Sequence, residues 1–295
     1  MRRIIMIVFL TVVFAGIAGA ATAAEPQKPV SKPDGYVITP NGLHHKSCVR
    51  QIAPGERIDA GGAVIHVNGQ REQLPPCKYP RLSLHTGKEL DSVSPTVNGW
   101  VEYASWVSPS PLGSLFSQFV VPTPPTNNGG TIFFFPGSEP SDGSTILQPV
   151  LQYGPSAGGG GNYWAAASWF CCPAGWQHYS PLINVNTGDT IIGTMGSSCS
   201  GSSCNWSVTT IDMNTSKSTT LSSSNVTTPF TWNVGGVLEA YNVNTCNQFP
   251  ASGTIGFITV LSNQSGGGFV ANYSNSGTIC NGVPTSTPLT VTLNY

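Results

Sequence analysis

The sequence predicts an all-β protein, one large antiparallel β-sandwich preceded by a small N-terminal segment. Two observations carry that prediction. From about residue 96 onward, short β-prone runs alternate with clusters of Gly, Ser, Asn and Pro, and almost nothing recurs at helical spacing. Eleven such runs over about 200 residues suit a single sandwich, and no repeat of fixed period appears.

Taken in order, the chain opens with Arg2 and Arg3, an apolar run over 4–18 and a small-residue stretch over 19–24. That is the pattern of a secretory signal peptide (1–24), with Ala21-Thr22-Ala23 as the cleavage motif before Glu25. The apolar run is too short for a stable membrane span, and no later run approaches spanning length. The mature protein is expected to be soluble and secreted, without a membrane partner.

Residues 25–95 form the second part. Pro- and Gly-rich turns (25–34, Gly61-Gly62, Pro75-Pro76) separate short strand-like pieces such as 63–67. A segment this small buries little core unaided, and a Cys48–Cys77 bridge would supply part of the deficit. Between residues 25 and 89 stand nine Lys/Arg against six acids; beyond Asp91 the only base is Lys217, against Glu102, Glu139, Asp142, Asp189, Asp212 and Glu239. A basic segment joined to an acidic, charge-poor body docks on it at neutral pH and loosens as acid protonates the carboxylates. The segment therefore reads as a propeptide or accessory lobe; the plain alternative is a basic linker. With no phosphate-neutralising patch on the body, nucleic acid is not an expected partner.

The body, 96–295, has expected strands at 99–106, 115–121, 131–135, 145–153, 163–170, 190–195, 206–213, 231–243, 254–261, 269–273 and 289–293. Its six cysteines allow 15 pairings. Cys246–Cys280 and Cys199–Cys204 are the expected bridges, while the adjacent Cys171 and Cys172 are awkward partners. No paired CxxC motifs occur, and neither a metal nor a cofactor is expected. A serine triad lacks its parts, since His178 is the only body histidine and no Gly-x-Ser-x-Gly elbow exists.

Two strands carry an oddity. In 145–153 the two-residue alternation places Ile146, Gln148, Val150 and Gln152 on one face, so two amides sit in an apolar strand. Buried amides are costly unless bonded or used. Pro149 cannot donate to a ladder and marks a bulge or sheet edge beside Gln148. In the later strand, Glu239 stands between Val237 and Tyr241; it is either buried with a raised pKa or faces outward. Glu139 and Asp142 lie on an expected loop, 137–143, near the Gln148 strand. Trp169 and Tyr241 either line a cleft or pack in the core.

The ordered series over 131–294 resembles the glutamic peptidases known as eqolisins. Ile146-Leu147-Gln148 resembles their glutamine strand, Ala167-Ser168-Trp169-Phe170 their Glu-Trp-Tyr strand, and Thr187-Gly188-Asp189 their Glu-Gly-Asp turn. Gly236-Val237-Leu238-Glu239-Ala240 sits where they carry the catalytic glutamate, and Thr254-Ile255-Gly256-Phe257 resembles the strand that follows. Gln152 stands where the family has an aspartate.

The resemblance implies two curved sheets of the concanavalin-like, jelly-roll kind and a secreted acid endopeptidase. Glu239 would activate water and Gln148 would stabilise the oxyanion, with Gln152, Trp169, Tyr241, Glu139 and Asp142 as binding or supporting groups. Protein or peptide substrates are the implied partners, a propeptide the intramolecular inhibitor, and a monomer the expected state. A second reading is a carbohydrate-binding or glycan-cleaving sandwich, and a peptidase pairing Glu139 with Glu239 is a third.

Overall fold

A computed structural model describes residues 32–84, 86–90, 99–264, 267–273, 280 and 282–295. The expected signal peptide and the junction expected near residue 95 lie outside the described residues. The strands of the N-terminal segment are β1 (Tyr36–Thr39), β2 (Gly42–His45), β3 (Val49–Gln51), β4 (Arg57–Asp59), β5 (Val64–Ile65) and β6 (Arg71–Glu72). The body follows with β7 (Trp100–Val107), β8 (Ser114–Val120), β9 (Thr131–Pro140), β10 (Ile146–Tyr153), β11 (Trp164–Cys171), β12 (Gln177–Tyr179) and β13 (Ile183–Asn184). It continues through β14 (Thr190–Ser200), β15 (Ser203–Asp212), β16 (Lys217–Val226), β17 (Phe230–Tyr241), β18 (Thr254–Leu261), β19 (Val270–Tyr273), β20 (Thr285–Ser286) and β21 (Thr290–Asn294).

Two sheets stack as a sandwich. One has the order β19-β7-β17-β9-β10-β11-β12-β3, with β13 also on β11; the other runs β20-β21-β18-β8-β14-β15-β16-β4-β5-β6. Pairing is antiparallel apart from β3 on β12 and β4 on β16. Period-two alternation fills the space between the sheets. Leu147, Leu151, Phe134, Phe170 and Leu238 of the first sheet meet Phe119, Ile191, Val208, Leu221 and Phe257 of the second in one buried cluster.

The first sheet is buried on its other face too, which explains why β9, β10 and β11 have no exposed residue. Phe133, Phe135, Ile146, Val150, Ala167, Trp169, Val237 and Tyr241 form a second cluster there, covered by Ile38, Leu43 and Leu84 of the N-terminal segment. The cover is the β1–β2 hairpin, extended by Leu43 pairing with Leu82. Thr39-Pro40-Asn41-Gly42 makes its turn: Pro supplies the second position, and Asn41 takes the left-handed conformation (φ 85°) that a type II turn needs at the third.

The segment does not stand apart as a lobe. It supplies edge strands to both sheets, laps the outer face of one, and is closed by Cys48–Cys77. The ion pairs Arg50–Glu72 (2.7 Å) and Arg71–Asp59 (2.6 Å) are internal to it, so strand pairing and apolar cover rather than those charges join it to the body. Burying Ile38, Leu43 and Leu84 contributes about 2 kcal/mol each. Cys199–Cys204 and Cys246–Cys280 pair as expected, and Cys171 pairs with Cys172. Four disulfides belong to an oxidising, extracellular-type environment. Among the described residues, no helix is long and apolar enough to cross a membrane.

Candidate active site

The face beneath the hairpin gathers the polar oddities of the sequence. Strand β9 lies between β10 and β17, and its alternation points Phe133, Phe135, Gly137 and Glu139 the same way as Gln148, Gln152 and Glu239. Phe133 pairs with Gln152 on one side and with Glu239 on the other, so Gln152 and Glu239 share one row across the sheet. Gln148 lies four residues further along β10, paired with Trp169 on β11.

Around Gln148 the ladders are irregular on both sides of β9. Pairing of β10 with β9 lapses between Leu147 and Leu151 without a change of register, because Pro149 has no N–H to give. On β17 the register shifts between Val234 and Val237, across Gly235 and Gly236. Pro149 was expected to mark a bulge or edge; β10 is instead a central strand, and the neighbouring bulge is on β17. Gly137 leaves room there, since a Cβ on it would lie 2.9 Å from the Leu147 carbonyl oxygen.

Glu239 is fully buried. Its Oε1 accepts the backbone N–H of Asn41 at 2.7 Å and the Tyr241 hydroxyl, while Oε2 is buried without a hydrogen-bond partner. Burial pushes its pKa up to about 8, against the opposing pull of the Tyr241 and Asn41 bonds and the Arg81 charge. With the hairpin in place, burial therefore favours the neutral acid at Glu239 below about pH 8. Burial also raises Tyr241, and the carboxyl beside it raises it further.

Gln148 is fully buried and neither amide atom has a hydrogen-bond partner. Gln152 differs: its Nε2 donates to the carbonyls of Gly154 (3.2 Å) and Gly159 (3.1 Å), and its Oε1 accepts from Ser156 (3.0 Å). It braces the loop after β10, where Gly160 (φ 91°) is needed because a Cβ would run into the Gln152 amide. Trp169 is buried and stacks on Tyr179 with centroids 4.8 Å apart.

Glu139 departs from its expected place on a loop. It ends up inside β9, 2% exposed, because the Gly-Ser-Glu-Pro stretch pairs with β17 through Pro140. Burial raises its pKa, opposed by the Arg81 charge. Asp142 is exposed and accepts the Ser144 N–H at 3.0 Å, so it shapes a turn outside the site.

Sequence reasoning missed the groups that the segment brings. His44 donates from Nδ1 to Thr39 Oγ1 (2.9 Å), which itself donates to the Gly42 carbonyl, and its Nε2 lies 3.4 Å from Cys172 Sγ. Arg81 Nη1 lies 3.7 and 3.9 Å from Cys171 and Cys172 Sγ, and its charge acts on Glu139, Glu239, Tyr241 and His44. The Thr-Pro-Asn-Gly turn was the readable signal for the hairpin tip. His44 clusters with the two sulfurs, but those are bonded to each other and leave one ligand rather than a metal set.

No protein-family model matches the chain, and no curated protein does. Solved structures of glutamic peptidases are among those it matches. One is scytalido-glutamic peptidase with a transition state analogue inhibitor: 16% identity, TM-score 0.46, covering 67% of this chain and 98% of that one. Another is SCP-B, described as a member of the eqolisin family, in complex with the tripeptide Ala-Ile-His: 17% identity, TM-score 0.44, the same coverage. Aspergilloglutamic peptidase from Aspergillus niger matches at 15% identity and TM-score 0.33, covering 56% of this chain and 98% of its own. The chemistry of the present chain rests on its own site.

Proposed function

We propose that the chain is the latent form of a secreted endopeptidase that hydrolyses peptide bonds with Glu239 and Gln148, and that residues 25–95 are its propeptide and intramolecular inhibitor. One observation carries the reading: a peptide already sits on the carboxylate, since the Asn41 backbone N–H donates to Glu239 Oε1 at 2.7 Å. A site that seats one backbone over an uncharged amide and a lone acid is suited to seating another.

When the hairpin leaves, water reaches Glu239 and its pKa falls back toward the ordinary 4.5, with the Tyr241 hydroxyl still favouring the ionised form. The carboxylate then takes a proton from water as the water oxygen bonds to the scissile carbonyl carbon. Gln148 Nε2 donates to the oxyanion that develops, and Glu239 returns the proton to the departing amine as the C–N bond breaks. Along the strand Gln148 stands about 13 Å from the Glu239 row, and two strand spacings across add about 10 Å. Together these put the two Cα atoms about 16 Å apart, too far for one water to bridge the side chains, so the role given to Gln148 rests on the resemblance carried by Ile146-Leu147-Gln148 and not on proximity to Glu239.

Glycoside hydrolysis is less well supported. Glu139 and Glu239 lie six residues apart in β9 register, about 20 Å along the sheet, against the 5–9.5 Å that paired carboxylates need. A serine-lined groove on the second sheet (Arg57, Ser197, Ser207, Ser222) offers a sugar no exposed aromatic platform, because its Trp206 is buried. The test is casein hydrolysis in acid by purified chain after acid incubation, with pepstatin present. Turnover by the wild type that Glu239→Gln abolishes supports the reading; turnover of glucan and not casein removes it.

A further inference from the structure

Besides covering one face, the segment closes an edge of the sandwich. Its β3 adds to β12 and its β4 to β16, so without it those two would be edge strands of their sheets. The surface it covers there is polar. His178 and Gln177 of β12 are fully buried, and Ser223 and Ser224 of β16 nearly so. Yet both His178 ring nitrogens, Gln177 Nε2 and both serine hydroxyls have no hydrogen-bond partner. A permanently buried interface satisfies such groups, whereas an edge that is at times in water leaves them to solvent. His178 is the one of these that titrates. It pairs with Arg50 on β3 and with Phe170 on β11, and its ring stacks on Trp176 with centroids 6.2 Å apart. The acids that the segment brings to this edge are already engaged. Glu72 holds Arg50 at 2.7 and 2.8 Å and His66 at 3.2 Å, Glu56 holds His66 at 2.6 Å, and Asp59 holds Arg71 at 2.6 Å. A proton on His178 would therefore be buried beside a guanidinium, with no acceptor of its own.

We propose that His178 is the acid trigger of the segment: its ring takes up a proton as β3 leaves β12, so acid drives the segment off this edge. The inference rests on the reading of residues 25–95 as a detachable inhibitor and names what releases it. With the segment docked, burial first and the Arg50 charge second lower the His178 pKa to about 3, against 6.5 for a ring in water. A histidine depressed in this way favours docking in full above 6.5 and loses that effect as the pH falls toward 3. Glu72 is lowered from 4.5, chiefly by its bond to Arg50, so its own contribution is lost only below that value. The interval between 6.5 and 4.5 therefore separates the histidine from the carboxylate. His44, the other histidine with a depressed pKa, sits beneath the hairpin against Cys172 rather than on this edge. Two pH units below 6.5, the His178 effect on the docking equilibrium is about 100-fold.

The test uses the full chain carrying Glu239→Gln, so that no self-cleavage intervenes. Hydrogen exchange over 49–52, where β3 pairs with β12 and the Ile52 N–H donates to the Tyr179 carbonyl at 2.8 Å, is read by mass spectrometry at pH 7.5 and pH 4.5. Protection, corrected for the intrinsic pH dependence of exchange, should fall about 100-fold further in this chain than in the same chain with His178→Gln or His178→Phe added. Gln keeps a polar side chain and Phe keeps a ring against Trp176, and each variant's own value at pH 7.5 is its reference, so a general loss of stability drops out. Equal falls with and without His178 overturn the trigger and leave the peptidase reading standing. The 100-fold difference upholds the trigger even if the wild-type chain hydrolyses no peptide.

Discussion

Glu239→Gln in the full-length latent chain isolates the cost of placing a carboxyl under the hairpin. The amide keeps the shape and cannot ionise. In the folded chain the Glu239 pKa stands at about 8 against an ordinary 4.5, chiefly through burial. Its stabilising contribution is therefore complete below 4.5, declines as the pH rises, and is gone above about 8. At 1.36 kcal/mol per pH unit that interval amounts to about 5 kcal/mol. Urea unfolding at pH 4.5 and pH 8, wild type against Glu239→Gln, reads it as a difference of differences, so other titrating groups cancel. Because each pH sits at one of the two pKa values, the variant should gain about 4 kcal/mol of that on the wild type between them. A stability difference that does not change with pH would refute the claim that Glu239 is held neutral, and with it the idea that the base exists only after the segment leaves.

Other expectations follow from neighbouring groups. His44 is buried beside the Arg81 charge with its pKa lowered to about 3, so it favours the docked segment above 6.5 and loses that effect as pH falls; His44→Gln should shift acid release of the segment, followed by protease susceptibility, to lower pH. Tyr241→Phe removes a donor to Glu239 and should cost about 1–3 kcal/mol of stability at pH 4.5 while moving the acid limb of activity upward. Gln148→Ala should lower the rate of peptide hydrolysis about 100- to 1000-fold with the fold intact by circular dichroism, whereas Gln152→Ala should show its effect first as a loosened 154–160 loop in hydrogen exchange. Replacing Cys48 and Cys77 by Ser should cost about 3–4 kcal/mol by loop entropy over the 29-residue separation, read as faster trypsin cleavage of the segment.

Alternation made the body legible. The face assigned to Ile146, Gln148, Val150 and Gln152 is the face they occupy, because a strand buried on both sides still obeys period two. Three disulfides fall on the pairs expected, although spacing left the six body cysteines 15 pairings. What the sequence hid was tertiary. Gly137, Pro140 and Asp142 announce a loop, yet pairing with β17 carries β9 through Pro140 and buries Glu139. Of the N-terminal pieces 63–67 was readable as strand-like, whereas β3 and β4 are short and polar and become strands by joining edges that the body provides. The docking of Asn41, Arg81 and His44 depends on contacts between residues far apart in the chain, such as the 198 positions between Asn41 and Glu239. No local pattern encodes those contacts.

The central claim is that one acid, freed from a peptide of its own chain, hydrolyses other peptides. Initial rates of cleavage of a quenched-fluorescent peptide by acid-processed wild type and Glu239→Gln, at matched fold and concentration, test it most directly. The account predicts turnover for the wild type and none above background for the variant; equal turnover by both would contradict it.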